Sequence, residues 1–331
     1  MRGAVISELR GTEQTEALAF LDQGRDFYEV ATGRLSTNPL LLYYSFLNLG
    51  KALIRVRGFS GDLDRAVHGL RETHEKSTDE LEGSSVVVEV HGKRASIFPE
   101  LIDHLGFDRP KNLHEYRVTD LLPQVVVGHR LWRETADRAE RFIGLDEIEI
   151  VNDPDARELW VRLYVPSGDL NRYGIGKRQL LKEGGIAETF RYVEPPGKPG
   201  RDLEQTLCLE QLKPVGYGSG YPTDKALALV DPLRRQLWRI ITSGPEQGYR
   251  KYYLHLSRPA DAPRLPQVAS LWALMFYFGS VVRYRPHVFG SMSTGKYGAF
   301  VAEFIAAQPE QLLYMLASEM CRREIAKPAI A

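Results

Sequence analysis

Arginine and histidine a few residues apart can do phosphate chemistry together. An imidazole moves a proton near neutral pH, and a guanidinium steadies the charge that develops on a phosphate. Acting on RNA, such a pair assists attack by the 2′-OH and needs no metal. Arg109 and His114 (RPKNLH) and Arg250 and His255 (RKYYLH) enclose four residues each, whereas Arg283 and His287 (RYRPH) enclose three. Arg109 precedes a proline in loop-like sequence. The second pair reads as strand, where that spacing sends the two side chains to opposite faces. Arg283 and His287 end an apolar helix beside the corner fixed by Pro286, and they rank first as a catalytic pair.

A second set lies on the segment Pro39–Arg57, which predicts a helix capped by Thr37 and stopped at Gly58. At about 100° per residue, Tyr44, Asn48, Lys51 and Arg55 form one narrow polar stripe, opposite Leu42, Phe46, Leu49, Leu53 and Val56. Buried amide and ammonium groups cost several kcal/mol unless paired, so the stripe predicts either ties to neighbouring segments or the wall of a polar cleft. Asn48 and Lys51 are expected to be largely buried, with His68 or Arg283 as first partners.

Other strings are weaker. Gly290-SMST-Gly295-Lys296-Tyr297 nearly spells a phosphate-binding loop, but Tyr297 stands where the magnesium-holding hydroxyl belongs and the preceding segment reads as helix. No strand is expected before Gly290, and no tight ATP binding. Gly216–Pro222 is a Gly/Tyr loop without the helix-opening context of a dinucleotide site. His68 and His74, with Glu72 and Glu75 beside them, lie on what reads as a solvated helix, and a metal site would need a third ligand from elsewhere. Arg172, Lys177, Arg178 and Lys182 form the best local anion-binding patch, suited to RNA or an acidic partner. Cys208 and Cys321 have no C-x-x-C spacing, and no G-x-S-x-G elbow is present. No metal and no cofactor are expected.

The elements that must position these residues run in the order helices, sheet, helices, which predicts an α+β fold rather than a doubly wound one. Helices are predicted over Thr12–Ala31, Pro39–Arg57, Asp62–Glu75 and Val118–Phe142. Two short strands around Gly92-Lys93 form a hairpin near 85–98. Paired strands Glu147–Val151 and Leu159–Val165 follow, then a basic helix Leu170–Lys182 and strands at Phe190–Val193, Thr206–Leu212, Gln236–Thr242 and Arg250–Leu256. After Pro266 come helices Gln267–Val282, Tyr297–Ala307 and Glu310–Ile325. The division expected is 1–143 helical, 144–258 a β-rich insertion, and 259–331 helices completing the first region. With 43 basic and 43 acidic residues in 331, a dedicated nucleic-acid coat is disfavoured. The run Val268–Val282 is shorter than the roughly 20 residues needed to span a bilayer, and the start carries no apolar leader, so no membrane association and a cytoplasmic location are expected.

The string LSTNPLLLYYSFLNLGKALI, followed by Ala66-Val67-His68-Gly69-Leu70, and the stretch Leu265–Phe289 (LPQVASLWALMFYFGSVVRYRPHVF) resemble the YaaC-like protein family. The helix of that first string, Pro39–Arg57, is similar to the opening half of HEPN domains, helical bundles often found in ribonuclease toxins and phage-defence proteins. These resemblances imply a HEPN-like bundle made by both chain ends around an antiparallel β-rich insertion. They further imply a non-ATPase component of a bacterial defence or stress-response system acting with partner proteins. The alternative they imply is a metal-independent ribonuclease using an Arg/His pair, since HEPN ribonucleases space Arg and His by four to six residues at a dimer interface. Partners expected are other proteins of such a system, with RNA or a nucleotide and a second copy of the chain as further candidates.

Overall fold

The computed structural model describes residues 1–31, 38–75, 81–126, 129, 142–172, 174–182, 186–197, 205–218, 241–243, 252–256 and 264–323. It is a mixed helix and sheet structure whose internal contacts divide it into two compact units. One is Met1–Asp137 with Leu265–Lys327, the other Arg138–Arg264 with Pro328–Ala331.

The first unit is built on helices α1 (Arg2–Glu8), α2 (Gly11–Ala31) and α3 (Asn38–Val56), as the apolar spacing predicts for the last two. Pro39 sits in the first turn of α3, where its missing N–H is no loss. The helix ends in a Schellman motif. Gly58 takes φ +95°, its N–H reaches the Arg55 carbonyl at 3.0 Å, and the Phe59 N–H reaches the Ile54 carbonyl at 3.0 Å. Thr37, the expected cap, lies outside the described residues.

Beyond Gly58 the structure departs from the predicted third helix. Residues 70–74 of the Asp62–Glu75 segment are a strand, β1 (Leu70–His74), paired antiparallel with β2 (Ser84–Val88), which pairs in turn with β3 (Glu115–Arg117). The polar spacing of LRETH suits either period, and pairing with the apolar SSVVV strand decides it. The predicted hairpin is also displaced. β2 pairs with β1 and β3 rather than with Arg94–Phe98, and Ile97–His104 is instead helix α4, with Pro99 in its first turn. The predicted helix from Val118 begins as one turn, α5 (Val118–Leu121), continued by the 3-10 turn Leu122–Gln124; most of 127–141 lies outside the described residues.

Helices α6 (Gln267–Tyr284), α7 (Pro286–Thr294) and α8 (Gly298–Cys321) close the unit. Every residue of α6 from Gln267 to Val282 is buried, so the apolar run is a core helix. Among the described residues, no helix is long and apolar enough to cross a membrane. α3 and α6 run antiparallel and touch through glycines. A Cβ on Gly50 would lie 2.1 Å from the Trp272 ring, and one on Gly279 would lie 3.0 Å from the Tyr43 Cβ. The Tyr277 hydroxyl reaches Ser84 Oγ at 2.7 Å and ties α6 to β2. The two predicted terminal helices are one: α8 runs through Pro309, because the buried Phe304, Gln308, Gln311 and Leu312 hold both sides of the lost hydrogen bond.

The second unit carries two sheets. One has the order β10 (Ile241–Ser243), β11 (Tyr252–His255), β4 (Phe142–Leu145). The other has the order β5 (Glu147–Asp153), β6 (Glu158–Pro166), β8 (Thr206–Gln211), β7 (Phe190–Val193), with β9 (Val215–Gly216) against β6. All pairings are antiparallel, and β5 and β6 join as predicted. Most of predicted strand Gln236–Thr242 lies outside the described residues. The predicted basic helix is two short ones, Ser167–Arg172 and Lys177–Lys182, which dip Leu170 and Leu180 into a core with Leu163, Leu209 and Leu254.

Candidate functional site

A cavity of about 340 Å³ opens in the first unit between α3, α6 and β1. Leu40, Tyr43 and Tyr44 of α3 form one wall, Phe276, Gly279, Ser280, Arg283 and Tyr284 of α6 another, and His68, Leu70, Arg71 and Glu72 with Glu89 the third. The Gly279 contact lets α3 and α6 approach closely beside it. Gly69 sets the entry of β1. It holds φ +77°, which side-chain-bearing residues rarely adopt, and a Cβ there would meet the Pro99 Cδ at 2.7 Å.

Two polar contacts organise the cleft. The Tyr43 hydroxyl meets His68 Nδ1 at 2.7 Å, and Arg283 Nη1 donates to the Tyr44 hydroxyl oxygen at 2.6 Å. The His68 ring also packs on Tyr43 and Phe276, with centroids at 5.4 and 6.1 Å. Burial holds the His68 imidazole below its ordinary value, and the charges of Arg283 and Lys51 add to that, so His68 is neutral at pH 7. Burial likewise raises the Tyr43 phenol well above its ordinary range, so it keeps its proton. That proton fixes the histidine tautomer. Tyr43 is buried and has no other polar partner among the described residues, so it must donate to Nδ1 or leave its own O–H unpaired. His68 Nδ1 therefore accepts, and Nε2 carries the hydrogen. No described residue bonds to Nε2.

The two carboxylates of the lining are already matched. Glu72 pairs with Arg285 at 3.0 Å and Glu89 with Arg71 at 2.7 Å. Arg283 has no carboxylate partner among the described residues; its guanidinium lies 4.9 Å from the Tyr284 ring centre. The cleft thus presents one uncompensated positive charge, a neutral N–H donor, and the Tyr44 O–H, whose oxygen is occupied by Arg283.

The predicted stripe divides. Tyr44 reaches the cleft. Asn48 is buried, but its amide donates to the Tyr44 carbonyl of its own helix at 3.0 Å rather than to another segment. Lys51 is half-buried over the Phe20 ring at 4.9 Å, and burial lowers its pKa. Arg55, only 6% exposed, pairs with Glu16 at 2.7 Å and donates to the carbonyls of Phe59 at 2.6 Å and Gly61 at 3.0 Å. That end of the stripe ties α3 to α2 and to the turn after Gly58. Of the two partners expected for Asn48 and Lys51, His68 goes to Tyr43 and Arg283 to Tyr44. Tyr43 was missed; its signal was its place one turn after Leu40, on a face later closed by α6.

Arg283 and His287 are both exposed, and no hydrogen bond joins them. His287 lies on the first turn of α7, while Arg283 shares the cleft with His68 instead. Arg109 pairs with Glu100 at 2.7 Å, and His114 meets the Tyr116 ring edge-on, centroids at 4.5 Å. Arg250 lies outside the described residues, and His255 packs on Phe142. The string Gly290–Thr294 is helical, α6 and not a strand precedes it, and Lys296 and the Tyr297 hydroxyl both reach Glu82, the lysine at 3.6 Å. Arg172, Lys177, Arg178 and Lys182 are exposed side chains of the second unit. His74 bonds to Ser84, across the sheet rather than on a helix. Among the described residues, one group has ligand atoms within metal-binding reach, Glu100, Asp103 and His104, and Arg109 already occupies Glu100.

A mixed α+β chain with a polar cleft in its helical unit is the class that this geometry defines. The chain belongs to the YaaC-like protein family, whose model matches residues 6–320. No curated protein and no solved structure matches the chain.

Proposed function

We propose that this chain is a non-ATPase component of a bacterial defence or stress-response system, that it acts with partner proteins, and that its cleft holds an anion-bearing ligand. One observation carries the ligand reading: Arg283, without a carboxylate partner, shares a cavity with the His68 Nε2–H donor. Arg283 is exposed, and an anion entering the cavity would meet its guanidinium as a charge-assisted donor beside the imidazole N–H. The non-ATPase part is supported by Lys296, which is engaged by Glu82. The helical unit, drawn from both chain ends, is proposed as HEPN-like, and Arg172, Lys177, Arg178 and Lys182 as the contact for RNA or an acidic partner. Two experiments test this. Capture from the native host with mass spectrometry should return a recurring set of proteins that is lost when the four basic residues become Gln. Titration with pyrophosphate should raise the melting temperature of wild type and not of Arg283→Gln. No recurring partners rejects the first part, and no response to anions rejects the second.

A metal-independent ribonuclease is the second reading, favoured by the meeting of Arg283 and His68 in one cleft. Against it stands the tautomer, because an Nε2–H cannot take up the 2′-OH proton. RNA cleavage without metal, lost in a folded His68→Gln or His287→Ala variant, would establish it.

A further inference from the structure

We infer that the ligand of this cleft is a nucleoside phosphate, with its phosphate on Arg283, His68 and Tyr44 and its base stacked on Tyr284. The inference rests on the anion reading of the same cleft and adds what lies next to the anion. Tyr284 lines the cavity and is 64% exposed. It is the one aromatic among the large apolar side chains that the described residues leave exposed; the others, such as Ile6, Val30 and Leu113, are aliphatic. Its ring is already polarised by the Arg283 guanidinium 4.9 Å from its centre. The guanidinium covers one face of the ring, and a planar base would stack on the other, the aromatic contact that holds single bases without sequence preference.

The remaining groups fit the same class. An arginine fork and fixed N–H and O–H donors suit the several acceptor oxygens of a phosphate. Arg71 and Glu89, paired to each other on the wall, offer both a donor and an acceptor to the edge of a base, and Ser280 adds a hydroxyl. The cavity volume of about 340 Å³ lies at the small end of the roughly 300–1,000 Å³ of ligand pockets, in keeping with a small ligand.

The experiment is calorimetric titration of the full chain with AMP, UMP, ribose 5-phosphate, inorganic phosphate and a short oligoribonucleotide. AMP should bind at least tenfold more tightly than ribose 5-phosphate or inorganic phosphate. Tyr284→Ala should remove about tenfold of that affinity, the usual worth of one stacked base, and leave inorganic phosphate binding unchanged. Tyr284→Trp should keep it, and Arg283→Gln should abolish all binding. Since Tyr284 is mostly in solvent, its replacement leaves the fold intact, which the melting temperature checks. If no anion binds at all, the underlying anion reading falls. If phosphate and ribose 5-phosphate bind as tightly as AMP and Tyr284→Ala changes nothing, the nucleoside inference alone falls. Binding of the oligoribonucleotide without the mononucleotides would also overturn it, in favour of an RNA-binding groove.

Discussion

In the sheet unit, Glu149 on β5, Arg162 on β6, Glu210 on β8 and Arg191 on β7 stand opposite one another in register, a row of alternating charge across four strands. Glu210 receives Arg162 at 2.9 Å and Arg191 at 2.7 Å. Burial pushes its carboxyl up, yet the hydrogen bonds from Arg191 and Arg162 outweigh that and hold it below the ordinary carboxylate range. In the cleft of the helical unit the pattern is the reverse. Glu72 and Glu89 have their arginines, and Arg283 is left over. Matched charges opposite one another hold strands in register. The exposed, unmatched guanidinium of Arg283 contributes little to folding.

The strongest way to break this contrast is Glu210→Ala. Glu210 is only 8% exposed, but Arg191 is 63% exposed and Arg162 keeps Glu149 at 4.0 Å, so losing the two charge-assisted hydrogen bonds should cost the unit about 2 kcal/mol, read by urea unfolding. A loss below about 0.5 kcal/mol would mean that the row is surface decoration. Arg283→Gln should do the opposite. Stability should stay within about 0.5 kcal/mol while pyrophosphate affinity falls at least tenfold. If unfolding instead tracks the change at Arg283, the cleft charge is structural and the comparison collapses.

Smaller effects sharpen it. Tyr43→Phe removes the donor to His68 Nδ1, lets the imidazole turn its lone pair toward the cavity, and should lower anion affinity severalfold with about 1 kcal/mol of stability. The pH dependence is smaller still. His68 has its pKa lowered from 6.5, so below pH 6.5 the unfolded chain takes up a proton that the folded chain refuses. Its contribution is complete above pH 6.5 and is lost as the pH falls toward the folded-state value. His68→Gln should flatten that part of the stability profile, and an unchanged slope would mean that His68 titrates as it does in the unfolded chain.

Of this architecture, α2, α3, α6 and the β5–β6 pair were legible, because long apolar periodicity and a turn signal such as Gly58 or Asn152-Asp153 are local. β1 was not, since five mixed residues acquire a strand's identity only from β2 ten or more residues away. The site was half legible. Tyr44, His68 and Arg283 carry chemistry by type and drew notice, but their grouping depends on α6 returning from more than 200 positions along the chain. The stripe misled at Asn48, which bonds its own helix, and at Arg55 it gave the tie to neighbouring segments rather than a cleft wall, because a polar helix face does not reveal which of these its partners are. Pairing Arg283 with His287 followed sequence distance; the fold offers His68 instead.

Gly69 shows how a site can depend on a residue that brings no side chain to it. The imidazole before it faces the cavity only while this position holds a left-handed turn against the Pro99 ring. In a library of single substitutions, position 69 should therefore score with the ligand-contacting residues, although nothing there reaches a ligand. Over evolutionary time such a position filters substitutions through backbone shape, and it will look like a binding residue to any method that counts only tolerated letters.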